Sequence, residues 1–334
     1  MSNRTILYIS KGANSASTRY RAMQYSSMFE SAGWKFRHIC DKKSFLNRIS
    51  ILREAKCSDV VVILRRAYNP LFFFLLRYYS KYLVFDFDDA IFLKSRGQVS
   101  RGRERGFVRT VSSCDQVWAG NSYLANKAGC YNKKVTILPT AVDIEKYDKY
   151  VEKPINSLDI VWIGSTATKK HLLTVLPALE KASESIPTLR LKIIADFNLE
   201  TDKLDVVPVC WSETCEAKEL ASAHIGIAPL PDNSYTRGKC ALKVIQYMAS
   251  SLPVISSPTG VNKEIIENGV TGIFAEDEQE WVNAIKKLSG DNKLRTSMGN
   301  AARRRCAENF TLQTVFKKML TVLEQGIENR ENVK

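Results

Sequence analysis

KCALKVIQYMASSLPVISSPTGVNKEIIENGVTGIF, residues 239–274, puts a helix, a strand and a glycine-bearing turn into one short stretch. Ala241, Val244, Ile245 and Met248 recur at helical spacing as a buried stripe, while Lys239, Lys243, Gln246 and Ser250 share a different face. Lys239 and Lys243 then stand in the first turns of that helix, where cations oppose the dipole unless an anion occupies the helix end. A solvated basic face is the plainer alternative. Residues 253–256 read as a strand, and the turn SPTGVNKEII offers backbone at Thr259, Gly260 and Val261 beside Asn262, an N-cap by residue type.

Working outward, short β-branched or aromatic runs alternate with helical patterns on both sides. Strands are expected at 160–163, 189–194, 206–209 and 225–228, and in an earlier set at 6–9, 60–64, 82–85, 117–119 and 135–138. Such alternation argues for parallel sheets covered on both faces. Between the sets, EKYDKYVEKPINS (145–157) lacks apolar periodicity and reads as a linker. The chain ends in helices, with Trp281, Val282, Ile285 and Leu288 on one face, then Leu312, Val315, Phe316, Met319, Leu320 and Leu323 after a Thr311 N-cap.

The 334 residues suit about two domains. Hydrophobic residues at 45% and charged residues at 25% exclude collagenous, coiled-coil and disordered classes. The longest apolar run, 71–76, is far short of the roughly 20 residues of a membrane span, and MSNRTILYIS has no signal-peptide core. The eight cysteines are scattered without a C-x-x-C pair and have only three histidines beside them, so a reduced cytoplasmic chain is expected. With 49 basic and 35 acidic residues the net charge is +14, which points to an anionic partner. The basic clusters come without a nucleic-acid-binding motif, so phosphates or an acidic membrane surface are expected rather than nucleic acid.

In doubly wound sheets ligands sit beyond the carboxyl ends of strands, which directs attention to the strand-to-helix turns. SKGANSAS (10–17) contains Gly12 and leads to Arg19 and Arg21 at a helix start, an anion site or ordinary surface arginines. GSTATKKHLL begins at Gly164 and brings Ser165, Lys169 and Lys170 to another helix start, although neither G-x-G-x-x-G nor the phosphate-loop pattern is present. FDFDDAIF offers Asp86, Asp88 and Asp89, read as a general base with its neighbour, as a helix cap, or as a divalent-metal site. KSRGQVSRGRERGFVR (94–109) is too basic and glycine-rich to be expected as a regular core element. PLFFFLLRYY (70–79) reads as a buried helix on the sheet, with a membrane-interface helix as its alternative.

Three pieces in order, NSYLANKAG from Asn121, TILPTAVDIEKY from Thr136 and the 239–274 stretch, resemble the retaining GT-B glycosyltransferases of the family-four, or group one, type. The resemblance implies an α/β GT-B fold of two Rossmann-like domains facing a cleft, with the C-terminal helix crossing back to the N-terminal domain. The expected division is an acceptor-side domain at 1–150, a nucleotide-sugar domain at 151–310, and the crossover helix with a polar tail at 311–334. It further implies a glycosyltransferase with a nucleoside-diphosphate-sugar donor, a UDP-sugar favoured, a glycan or lipid-linked acceptor in cell-surface polysaccharide or glycolipid synthesis, and neither a cofactor nor a metal.

Carried over by position, Gly164, Ser165, Lys169, Lys170, Lys239, Lys243, Gln246, Thr259, Gly260, Val261 and Asn262 would hold the donor, and Gly12, Arg19 and Arg21 the acceptor. Asp88 and Asp89 would be catalytic, at a place where many members carry a histidine. The expected setting is cytoplasmic, extending to a peripheral position on the inner face of a membrane. Two departures stand out: the family's pair of glutamates falls at Gly238 and Gln246, so neither carboxylate is there, and Asp88 and Asp89 occupy the histidine's place. A catalytically inactive binding subunit, or a metal-dependent GT-A-like transferase using Asp86 and Asp88, are the alternatives.

Overall fold

The computed structural model describes residues 4–13 and 15–332, so Asn14 of the 10–17 turn lies outside the described residues. The chain divides into two compact units. The first holds the described residues up to Ala141, Asn233–Cys240 and the chain from Leu312 onward; the second holds Val142–Asp232 and Ala241–Thr311.

The first unit is a six-stranded parallel sheet of β1 (Thr5–Ser10), β2 (Lys35–Cys40), β3 (Val60–Leu64), β4 (Tyr82–Phe87), β5 (Gln116–Ala119) and β6 (Val135–Ile137), in the order β2-β1-β3-β4-β5-β6. Alternation along the strands fills two cores. Leu7, Ile9, Val61, Ile63, Leu83 and Phe85 face the helices carrying Phe72, Leu76 and Phe107. Ile6, Tyr8, Val60, Val62 and Val84 face Tyr25, Phe29 and the terminal helix Leu312–Glu331, whose Phe316 ring lies 4.9 Å from that of Phe29. The terminal helix thus returns to the first unit, as expected.

The second unit is also a six-stranded parallel sheet, of β7 (Leu158–Ile163), β8 (Leu189–Ala195), β9 (Asp205–Cys210), β10 (Ile225–Ala228), β11 (Val254–Ser256) and β12 (Gly272–Phe274), in the order β12-β11-β10-β7-β8-β9. In both sheets the chain runs outward on one side of its first strand and then returns to the other side. The switch points are therefore between β1 and β3, and between β7 and β10, the places where such sheets bind ligands.

Several local expectations are corrected. The change of unit falls at 141/142 rather than 150/151, and residues 233–240 go back to the first unit. Residues 145–157 are not a free linker, because Tyr147 is buried in the second unit and bonded to Glu216. RGRERGFVR lies within a regular helix, Arg101–Ser113, that buries Gly106, Phe107, Thr110 and Val111 and leaves Arg101, Arg103 and Arg105 exposed. The helix of the 239–274 stretch is Leu242–Ala249, so Lys239 precedes it and Gln246 and Ser250 are buried rather than facing solvent. No helix among the described residues is long and apolar enough to cross a membrane.

Candidate functional site

At the switch point of the second sheet, β7 ends at Ile163 and the chain turns at Gly164. A Cβ there would lie 2.2 Å from the Trp162 ring and 2.7 Å from Thr168 Oγ1, so only glycine allows the backbone to fold back over Trp162. Thr168 Oγ1 accepts from the Ser165 N–H at 3.1 Å, and the Thr166 N–H donates to Asp196 at 2.7 Å. Lys243 Nζ sits 4.3 Å from the centroid of Trp162, and Lys169 Nζ sits 4.7 Å from that of Phe197, each on an aromatic face. Lys170 is exposed on the same short helix. The structure thus gathers Gly164, Ser165, Lys169 and Lys243 around Trp162 and Phe197.

The turn after β11 is built from inside. Thr259 Oγ1 donates to the Leu230 carbonyl at 2.9 Å, and the Asn262 amide donates to Ser256 Oγ at 2.9 Å. Asn262 is the first helical residue and Val261 the cap, which corrects the expected Asn262 N-cap. Gly260 takes φ +54°. Beside this turn is a cavity of about 420 Å³, lined by Thr174, Leu230, Asp232, Ser257, Thr259 and Lys263 among others. That volume lies within the range of small-molecule sites.

Gln246 Nε2 donates to Tyr147 Oη at 3.0 Å, and that hydroxyl donates to Glu216 Oε1 at 2.5 Å. Glu216 Oε2 accepts from Trp211 Nε1 at 2.8 Å, and Lys146 Nζ is 3.5 Å from Oε1. A buried carboxylate therefore stands two hydrogen bonds behind Gln246. Sequence reasoning missed Glu216; the only hint is an apolar tyrosine position inside the apparent linker.

The first sheet's switch point is dominated by paired charges. Arg65, at φ +54° just after β3, bonds Ser17 Oγ on the short helix Ala16–Arg21 that follows β1, and pairs with Asp88 at 3.1 Å and Asp89 at 2.5 Å. Lys239 Nζ is 3.0 Å from Asp89 Oδ1, and Tyr235 Oη donates to Asp89 Oδ2 at 3.3 Å. Burial works to lower the Lys239 ammonium, but the Asp89 charge leaves it above the usual lysine value. Lys239 is thus a partner of Asp89 and not a neighbour of Lys243 on one helix. Asn121 fastens this segment, donating to the carbonyls of Arg237 and Lys239 at 3.2 and 2.9 Å while its Oδ1 caps the next helix.

Gly238 explains the first missing glutamate. A Cβ there would lie 2.8 Å from Ala90 Cβ and 2.9 Å from the Ala90 nitrogen, so the backbone fills the space a side chain would need. Arg21, expected to face an anion, is instead buried. Its Nε reaches both Asp86 oxygens at 3.1 and 3.2 Å, and Nη1 donates to the Leu138 carbonyl at 2.6 Å. Burial pushes the Asp86 carboxyl up to about 6 against the pull of Arg21. Arg19 lies over Tyr20, 5.6 Å from the ring centroid, and the Gly12 carbonyl accepts from Ser15. No helix directly follows β4, so Asp88 and Asp89 are not caps. Among the described residues no group of three or more His, Cys, Asp and Glu side chains has a metal-holding arrangement. Arg21, Arg65 and Lys239 already neutralise the three aspartates.

Residues 157–291 match the family model described as "Glycosyl transferases group 1". Spore coat protein SA of Bacillus subtilis is 33% identical over 82 residues, 24% of this chain and 22% of that protein. A probable sucrose-phosphate synthase of Thermosipho melanesiensis is 25% identical over 207 residues, 58% of this chain and 48% of that one. The matches therefore span less than half the length of either relative. The crystal structure of Anabaena HepE in complex with UDP superposes with a TM-score of 0.72 at 13% identity, covering 96% of this chain and all of that one. The whole chain thus has the GT-B fold, and its residues 157–291 are similar to the group 1 glycosyl transferases.

Proposed function

We propose that the chain transfers a glycosyl residue from a nucleoside-diphosphate sugar to a glycan or lipid-linked acceptor, with retention of configuration and without a metal, as a step in cell-surface polysaccharide or glycolipid synthesis. The observation that carries this reading is the β7 switch point, where a glycine turn, hydroxyls and two lysines meet on the aromatic faces of Trp162 and Phe197. Lysines seated on aromatic faces beside a glycine turn would bring positive charge to a bound diphosphate. Lys169 or Lys170 and Lys243, with the backbone of 259–261, would stabilise the leaving diphosphate, which is electrostatic catalysis. HepE has been solved with UDP and with UDP-glucose, which supports a UDP-sugar as the donor class.

On the acceptor side, Asp88 is the residue assigned to orient or deprotonate a hydroxyl, with Asp89 holding the geometry through Arg65 and Lys239. Gly238 and Gln246 favour one second reading, a nucleotide-binding subunit without transfer activity. Thermal denaturation against UDP, GDP, ADP, CMP and TDP, with and without EDTA, separates these readings when wild type is compared with Lys243→Ala. The expected result is a shift with UDP that survives EDTA and is lost in the variant. If no nucleotide raises the transition, the donor reading fails; a shift abolished by EDTA replaces it with a metal-dependent one. A UDP shift without transfer activity leaves the binding subunit.

A further inference from the structure

The helix Pro70–Tyr79 buries Phe72, Phe73 and Leu76 in the first unit's core and leaves its opposite face to solvent. That face carries Leu71, Phe74 and Tyr78, at i, i+3 and i+7, with 71, 66 and 73% of their surface exposed. The helix Phe45–Lys56 packs against it, with Arg48 lying 5.1 Å from the Phe72 ring centroid, and opens with Phe45 and Leu46, both 78% exposed. Solvating five large apolar side chains on two neighbouring helices is costly, and contiguous exposed apolar surface marks an interaction site.

The charge of the same segments identifies the occupant. Residues 42–56 and 70–81 contain Lys42, Lys43, Arg48, Arg53, Lys56, Arg77 and Lys81 against one acidic residue, Glu54, which pairs with Arg37. Arg77 and Lys81 are paired with Asp115 and Asp59, while Lys42, Lys43 and Arg53 stand exposed. Arg101, Arg103 and Arg105 are exposed on the helix Arg101–Ser113, which contributes Phe107 to the same core. Ten residues of helix span about 15 Å, half of the roughly 30 Å hydrocarbon layer, so this helix is suited to lying in the interface and not to crossing it. We infer that the Phe45–Lys56 and Pro70–Tyr79 helices dock the first unit onto an anionic lipid surface, with Leu71, Phe74 and Tyr78 entering the acyl boundary and the flanking lysines and arginines meeting the headgroups. Apolar insertion and headgroup attraction act together here, and neither needs the donor site. The inference holds or fails independently of the glycosyl-transfer reading.

Sedimentation of the full chain with vesicles of phosphatidylcholine alone, and of phosphatidylcholine containing about a third phosphatidylglycerol, tests it. The wild type should bind the anionic vesicles and not the neutral ones, and added salt should weaken the binding. Leu71→Glu with Phe74→Glu should lower the partition coefficient by roughly tenfold or more, and Lys42→Glu with Arg53→Glu by a similar factor. All four positions lie on exposed or lightly packed surface, so unchanged thermal transitions establish that the variants are folded. Failure of the wild type to sediment with anionic vesicles overturns the inference, and so does sedimentation that the Leu71 and Phe74 substitutions leave intact. If the wild type instead self-associates in solution and the same substitutions make it monomeric, the stripe belongs to a second copy of the chain and not to lipid.

Discussion

The two switch points have the same topology and opposite electrostatics. Beyond β1 and β3 every aspartate is matched to a cation: Asp86 to Arg21, Asp88 to Arg65, Asp89 to Arg65 and Lys239. Beyond β7 and β10 the lysines rest on Trp162 and Phe197, and the carboxylate at the turn, Asp196, is already held by the Thr166 N–H and hydroxyl. Under the proposed function, the balanced charges of the first site would orient a neutral hydroxyl, and the lysines on aromatic faces of the second would meet the donor diphosphate. The same sheet topology thus carries aspartate–cation pairs at one switch point and lysines on aromatic rings at the other.

The sharpest way to break this contrast is to unbalance the first unit. Asp86 is fully buried, and Arg21 is its main counter-charge. Arg21→Met should cost about 3–5 kcal/mol in urea denaturation, because removing one partner leaves a buried carboxylate uncompensated. The sign with pH follows: the Asp86 carboxyl rises further without Arg21, so the defect should shrink as the solution is acidified and the group protonates. A loss below about 1 kcal/mol would mean that the pair is solvated and the first switch point is not internally balanced.

The α/β alternation, the two sheets and the returning helix were legible because buried parallel strands are continuous apolar runs and the terminal helix keeps one clean face. β2 (Lys35–Cys40) was not, since KFRHIC sits at a sheet edge, is only partly buried and mixes charges with apolar residues. The lysine turn at Gly164 was legible as spacing. Lys239 was misplaced because helical periodicity continued through residues 239–241, whereas Ala241 at φ +51° breaks the helix and sends Lys239 to Asp89. Arg21 was misread because a cation beside a helix start resembles an anion site, and its real partner is 65 residues away. Nothing local in the sequence marked Glu216, which takes its meaning from Tyr147 and Gln246 across long separations.

The second unit contains a titratable device at the opposite, N-terminal end of its central strands. His224 Nδ1 accepts the Asp159 N–H at 3.0 Å just before β10, which requires that nitrogen to be unprotonated. Burial, then the charge of Lys153, brings the imidazole down to about 4, with Arg295 acting in the same direction and the Asp159 carboxylate against it. Because the folded value lies below the unfolded one near 6.5, the unfolded chain binds more protons, and stability is lost as pH falls through this window. Between pH 7 and 5 the second unit should lose roughly 2 kcal/mol by this route. His224→Asn, which keeps an acceptor without a titrating group, should flatten the slope. A slope unchanged in that variant would assign the acid sensitivity to other groups.

The smallest effect bears most directly on how the second switch point is aimed. Ala241 adopts φ +51°, ψ +32°, a left-handed conformation that costs a non-glycine residue roughly 1–2 kcal/mol, immediately before the helix Leu242–Ala249. Glycine would remove that strain but adds chain entropy of about 0.5–1 kcal/mol in the unfolded state. Ala241→Gly should therefore raise stability by no more than ~1 kcal/mol, a shift of a few degrees in the thermal transition. Under the proposed function the left-handed residue also presets the first N–H groups of the helix that carries Lys243, so loosening it should weaken UDP binding slightly while the unliganded protein becomes more stable. Opposite signs in the two measurements are the result that ties backbone strain to the donor site. A gain in both would show that the strain at Ala241 serves only to turn the chain from one unit into the other, and that the lysines, rather than the helix backbone, hold the diphosphate.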